Sequence, residues 1–476
     1  MARPVRPRQQ QPARPQQYPR FADRARRAIA GQSPPTLQIG LRTHRSEMDD
    51  LTAHSALELA LRVGEAMLAV GVPAADVTAT VLRVAAAYGL TSCQVDVTYT
   101  SLTVSWDRDD AVPLTGMRIV RVRATDYSRL HGVTDLVHEL ADDTATMPLE
   151  EAHARLDELI ATPHPYRRWV VTASLAMAAA MVALLLGGGP WVALAAGGTS
   201  AGIDLLMRTL SRWGLPQFFQ QAACAMLATG VATVLVVLES GLRTSLVVGA
   251  GIVVLLMGMS LVGAAEDAIS GFHVTAAARA FEVVTLTTGI VVGIAVSLDL
   301  ARRAGIPLAV LDPTVYAVPP TVQLLAAGGI AAFFAVASYA RPRPVLVAAG
   351  AGGLSWAVFA LCRDFGVGPT VASALAAIVV GFLGDVLTQR LRIPPLVIAA
   401  SAVAPLLPGL TIYRGLFAIV VDHDLTTGLG LLATAGGIGL GLAAGVTLGE
   451  FLATPVRTEL DRWDRKVRRH ATGAVE

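Results

Sequence analysis

The sequence contains no asparagine and one lysine, Lys466, against 37 arginines, so its basic side chains are almost wholly guanidinium. That bias is the imprint of a GC-rich bacterial coding sequence. Cysteine is scarce: Cys93, Cys224 and Cys362 lie far apart, without the spacing of a metal or redox pair, which excludes a zinc site and a disulfide framework. Charge is scarce over one long stretch. Residues 167 to 454 hold 26 of the 74 charged residues in 288 positions, and the flanks hold 48 in 188. With a mean hydropathy of +0.55, that partition excludes a single soluble globule. The net charge of +2 is spread over tails and span edges rather than one folded face, which argues against nucleic-acid binding. No apolar run precedes Leu51, so no secretory leader is expected and the N-terminus is placed in the cytoplasm.

What is present divides the chain into six parts. Residues 1–48 form a basic tail rich in Arg, Pro and Gln, expected to be disordered. Residues 49–163 read as a small cytosolic α+β domain. Leu57, Leu61, Leu68, Val77, Val81 and Val84 recur at helical spacing around the break at Gly71-Val72-Pro73. Val95, Val97 and Tyr99, then Leu102, Val104 and Trp106, alternate as strands, with a third expected over 118–122. Helices return at 126–142 and 148–161. Ten apolar spans follow, five in 164–300 and five in 321–454, around a proline-bearing external linker at 301–320 and before a basic tail at 455–476. Cytoplasmic termini put Arg167, Arg168, Arg208, Arg212, Arg279, Arg341, Arg343, Arg390 and Arg392 inside and only Arg243, Arg302, Arg303 and Arg363 outside, as the positive-inside rule requires. Because five is odd, two five-span repeats must enter the membrane with opposite polarity. The expected fold is a mainly α-helical polytopic membrane protein with ten transmembrane helices as two inverted five-helix repeats.

Ionisable groups inside spans are costly and therefore informative. Glu266, Asp267 and Ser270 lie where a polar, glycine-containing stretch interrupts the fourth span. The ninth carries Pro405-Leu406-Leu407-Pro408-Gly409 and then Tyr413-Arg414-Gly415, whose prolines leave backbone carbonyls unpaired. Interrupted helices at corresponding places in both halves point to a central site in a transporter. With Arg279 at the start of the fifth span and Asp385 in the eighth, they make the candidate substrate and coupling set. Val262-Gly263 is set against Pro408-Gly409 as the corresponding pair. Enzymatic classes are excluded by missing chemistry, since there is no phosphate loop, no H-E-x-x-H pair and no intramembrane aspartyl protease motif. Ser128, His131, Asp135 and His138 read as a solvated helix face rather than a hydrolytic set, which needs a nucleophile at a sharp turn.

Three short motifs, in this order, carry a resemblance. They are Leu61-Arg62-Val63-Gly64-Glu65-Ala66-Met67-Leu68 with Gly71 and Val77; Glu266-Asp267-Ala268-Ile269-Ser270-Gly271 with Thr275 and Arg279; and Pro405-Leu406-Leu407-Pro408-Gly409 with Tyr413 and Gly415. With a soluble domain ahead of ten spans, the chain resembles the threonine/serine exporters. The resemblance implies a ten-helix inner-membrane carrier of small amino acids driven by protons, with no cofactor. Expected partners are the small-molecule substrate, protons and membrane lipid but not nucleic acid, and self-association into a homo-oligomer is left open. Dicarboxylate export, the activity of similar two-chain proteins, stays open as an alternative, as does a membrane-anchored enzymatic or signalling module.

Overall fold

The computed structural model describes residues 50–472 apart from 109–110, 121–124, 141–146, 239–243, 256–257, 307–317, 392 and 421. The expected disordered tail and most of the linker lie outside the described residues. The chain opens with α1 (Asp50–Val70) and α2 (Ala74–Ala87), folded back on each other through Gly71, whose φ of +95° is open to glycine at little cost. Strands β1 (Cys93–Val97), β2 (Ser101–Arg108) and β3 (Ala111–Ile119) form an antiparallel meander in the order 1-2-3, pairing Val95 with Val104 and Val104 with Gly116. Helix α1 lies so close to the sheet that a Cβ at Gly116 would stand 2.5 Å from the Leu61 methyl. Leu57, Leu68, Val77, Val81, Leu102 and Val104 are buried between them. The third strand therefore ends where it was expected to begin. Pro113 and Gly116 are weak strand formers read singly, but Leu114, Thr115 and Gly116 pair with β2 and the bare Gly116 admits α1. Helices α3 (Tyr127–Leu140) and α4 (Leu149–Ala161) complete this α+β unit.

The remainder is helical. The first set is α5 (Arg168–Leu185), α6 (Pro190–Arg212), α7 (Gln217–Val237), α8 (Thr244–Leu255), α9 (Gly258–Ile269) and α10 (His273–Arg303). The second is α11 (Pro320–Ala337), α12 (Pro342–Asp364), α13 (Pro369–Leu391), α14 (Pro395–Val403), α15 (Gly409–Val420) and α16 (Leu425–Thr472), with a 3₁₀ turn at Ala404–Leu406 after α14. Among the described residues seven helices are long and apolar enough to cross a membrane, or eight when α14 and α15, bent by 48°, count as one span. The chain is thus a multi-pass membrane protein. Two of the ten expected spans do not meet that measure. Helix α6 carries Asp204, Arg208 and Arg212 in its last turns, and the fourth expected span includes residues 256–257, which lie outside the described residues, between α8 and α9. Trp169, Trp191 and Trp213 stand exposed at helix ends, as side chains of a membrane interface do.

The two sets run in the same order with one interval. Arg168 and Pro320, Pro190 and Pro342, Gln217 and Pro369, and His273 and Leu425 start corresponding helices, each pair 152 residues apart (320 less 168). The contacts follow the same interval. Gly289 and Gly293 let α10 press on the Phe218 and Ala222 carbonyls of α7, and Gly441 and Gly445 let α16 press on those of Thr370 and Ala374 in α13. This register sets Gly263 opposite Gly415, not Val262–Gly263 opposite Pro408–Gly409. Pro408 then corresponds to Leu256, which lies outside the described residues. The sets also exchange a helix: Ile412, Tyr413, Leu416 and Phe417 of α15 pack among α7, α8 and α10, while Val262 and Ala265 of α9 pack among α13, α14 and α16.

Candidate functional site

The interrupted segment of the first set is a sharp corner. Helix α9 ends at Ile269, Gly271 turns the chain at φ +89°, and the Phe272 N–H returns to the Asp267 carbonyl at 2.8 Å before α10 begins. That turn sets Asp267 and Arg279, from consecutive helices, side by side. The Arg279 Nε lies 3.1 Å from Asp267 Oδ2, and both side chains are within 5% of full burial. Such a pair offsets its desolvation only if its remaining atoms are also bonded. Those bonds come from the α+β unit: the Ala74 N–H, at the start of α2, donates to Asp267 Oδ1 at 2.8 Å, and Arg279 donates to the Val72 carbonyl at 3.2 Å. Asp267 thereby caps a helix from another part of the fold, where a carboxylate is favoured by free N–H groups and the helix dipole. Thr275 donates to the Val97 carbonyl at 3.1 Å, and the Tyr99 hydroxyl donates to Glu282. Nothing in the spacing of Val72, Ala74 or Val97 signals these contacts, because all three act through backbone atoms.

The interruption in the second set is a break inside a span. Pro405 lies in the 3₁₀ turn, Leu407 is extended with ψ 132°, and Gly409 opens α15 after Pro408. Tyr413, one turn into α15, is 96% buried, its ring 5.7 Å from that of Phe417, yet its hydroxyl has no hydrogen-bond partner among the described residues. A buried hydroxyl left so costs about 1–3 kcal/mol. Arg414 beside it is half-buried. Ser401, not foreseen from the sequence, is also fully buried before the break with its hydroxyl unpartnered among the described residues. Its only signal is a small polar side chain one turn before a proline. Ser355 donates to the Ala402 carbonyl at 2.6 Å, satisfying one acceptor that the break exposes.

The structure brings some of the candidates together. Leu406, within the break, packs in one cluster with Val262 and Ala265, so Glu266 and Asp267 follow directly on the stretch of α9 that meets the break. Glu266 is half-buried and Ser270 exposed, whereas Asp385, on α13, is buried. Pro405, Pro408, Gly409, Tyr413 and Arg414 share the break. Arg279 faces the α+β unit with Asp267. Among the described residues no group of three or more His, Cys, Asp or Glu is placed to hold a metal ion.

Comparison with known proteins agrees with this division. Residues 58–301 match the family described as "Putative threonine/serine exporter", and residues 323–452 match that described as "Threonine/Serine exporter, ThrE". The seam between the two matches falls between α10 and α11. A protein of Mycobacterium tuberculosis named "Probable threonine/serine exporter" is 42% identical over 90% of this chain and 82% of its own length. The "Threonine/serine exporter" of Corynebacterium glutamicum is 36% identical over 86% of this chain and 85% of its own. No solved structure matches. With both halves matched in order and most of either relative's length covered, the chain belongs to the threonine/serine exporter family.

Proposed function

We propose that the protein is a secondary active exporter of threonine and serine across the bacterial inner membrane, coupled to protons, with its site at the break between α14 and α15. The observation that carries the site is the buried, unpartnered Tyr413 hydroxyl one turn beyond Pro408. A membrane tolerates open backbone and an unpaired hydroxyl where something polar enters, and a hydroxy amino acid supplies the matching groups. Its carboxylate faces the α15 N-terminus, whose first N–H groups have no helical partner and carry the positive end of the dipole. Its hydroxyl meets Tyr413 and Ser401. Its ammonium, or the coupling proton, falls to Glu266, which follows the stretch of α9 packed on the break, or to the buried Asp385 of α13, with Arg414 beside Tyr413.

The wider architecture is read the same way. Each set makes five passes when α8 with α9, and α14 with α15, each count as one. The chain then crosses ten times, the second set inverted on the first, with both termini and the α+β unit in the cytoplasm. The common interval of the helix starts and the exchanged short helices support this reading. Counterflow in liposomes tests it: threonine and serine should exchange, a proton ionophore should abolish uphill export, and succinate should not compete. Succinate exchange without threonine exchange would replace this reading with dicarboxylate export.

A further inference from the structure

The α+β unit touches both sets of helices. On the first it holds the α9–α10 corner through Asp267, Thr275, Arg279 and Glu282. On the second it meets the α11–α12 corner: the Tyr127 N–H donates to the Ser338 carbonyl at 2.8 Å, and the ring of His164, in the segment between α4 and α5 that follows the unit, stacks on that of Tyr339 at 4.4 Å. Tyr339 adopts φ +62°, a conformation a tyrosine rarely takes, to make that turn. His164 is fixed in turn by Asp126, 2.8 Å away, whose other oxygen caps the start of α3 by accepting from the Ser128 N–H. One folded unit therefore bridges the two sets at one end of the bundle.

The strongest of these contacts is stored in an arrangement with two levels. The Asp267–Arg279 pair has the Ala74 N–H and the Val72 carbonyl as partners only while the α1–α2 turn covers it. Gly263 has no Cβ because one would stand 2.5 Å from the Arg279 guanidinium, so the arginine is seated against the backbone of α9. If the corner moves away from the turn, the Ala74 N–H and Val72 carbonyl lose their partners together, and the ion pair is opened to water. If the two sets move against each other, the bridge must release one corner. Bistable packed interfaces of this sort convert small shifts into all-or-none steps.

We propose that the α+β unit is a clamp on the transport cycle: docked on the Asp267–Arg279 pair and on the Ser338–Tyr339 corner it holds the bundle closed at that end, and it must release the pair for the break between α14 and α15 to open there. Asp267 and Arg279 are on this view positioning residues and do not touch substrate. The inference rests on the transport reading above.

The test uses the full chain with Cys93, Cys224 and Cys362 replaced by alanine, and Val97→Cys paired with Thr275→Cys, whose backbone and side chain already meet. In liposomes, copper phenanthroline should close the disulfide. Labelled threonine should still bind, its counterflow should fall at least tenfold, and a reductant should restore it. A static scaffold would not move turnover while sparing binding. Counterflow undiminished in the fully cross-linked protein overturns the clamp, and failure of both this pair and the His164–Tyr339 pair below to cross-link in an actively exchanging protein overturns the docking. His164→Cys with Tyr339→Cys, joined by a short bis-maleimide, closes the other corner and carries the same expectation should the first pair fail to fold. Absence of threonine exchange before any cross-linking would instead overturn the transport reading, and the clamp with it.

Discussion

Removing the Tyr413 hydroxyl separates a functional group from a structural one, because among the described residues nothing bonds that hydroxyl. Tyr413→Phe should leave thermal stability unchanged or slightly raised, since an unpartnered buried hydroxyl costs folding free energy. The same change should raise KM for threonine about tenfold, the loss of about 1.4 kcal/mol of binding. Equal KM with lowered stability would show the hydroxyl to be structural. Asp267→Asn has the opposite signature. It keeps an acceptor for the Ala74 N–H but leaves Arg279 as a buried uncompensated charge, so it should cost about 3–5 kcal/mol of stability, and adding Arg279→Met should recover part of that. Thermal unfolding of the purified variants decides the point. The sequence marked Asp267 and Arg279 as ionisable groups in or beside the spans and Tyr413 as following the proline break, and the structure buries all three. It did not show which would find partners, because Asp267's cap is a backbone N–H from a distant turn.

At the level of helices, the paired glycines make a quantitative comparison available. A Cβ at Gly445 would stand 2.5 Å from the Ala374 carbonyl, and one at Gly293 2.2 Å from that of Ala222, whereas Gly436 has open space. Gly445→Ala and Gly293→Ala should each destabilise by about 1–3 kcal/mol through forced separation of backbones, and Gly436→Ala should not. Thermal unfolding in lipid nanodiscs reads all three. Helix α3 offers a pH test outside the membrane. Burial holds the His131 imidazole below its ordinary pKa, and the nearby Arg341 lowers it further, against the pull of Asp135. A histidine whose folded pKa is depressed binds fewer protons folded than unfolded. Stability is therefore full above the ordinary histidine value and falls as pH drops through and below it, by at most about 1.4 kcal/mol per pH unit. The unfolding temperature at pH 5.5 should fall less in His131→Gln than in the parent. An equal fall in both would clear His131. The helices themselves were legible because their apolar runs are long, and the break was legible because two prolines mark it. The common interval was not legible in the candidate residues, since it sets Asp267 against Ile419 and Arg279 against Leu431. It survives in glycines and prolines, where backbone contact and helix starts allow little else.

For the molecule as a whole, the orientation predicts opposite access at the ends of two helices. With native cysteines removed, Arg303→Cys should react with a membrane-impermeant thiol reagent added to intact cells, and Arg343→Cys should react only after permeabilisation. The reverse pattern would invert every side assignment made above. The exchange of α9 and α15 also bears on how the chain is made. The core among α7, α8 and α10, lined by Cys224, Ala225, Ile290 and Ile294, receives only Leu261 from α9 and is completed by Ile412, Tyr413, Leu416 and Phe417 of α15, which is synthesised later. Until then that core is open to lipid, to chaperones or to the α15 of another copy. The core of the first set is therefore completed only when the C-terminal half has been made, and a chain halted after α10 lacks the four α15 side chains that fill it.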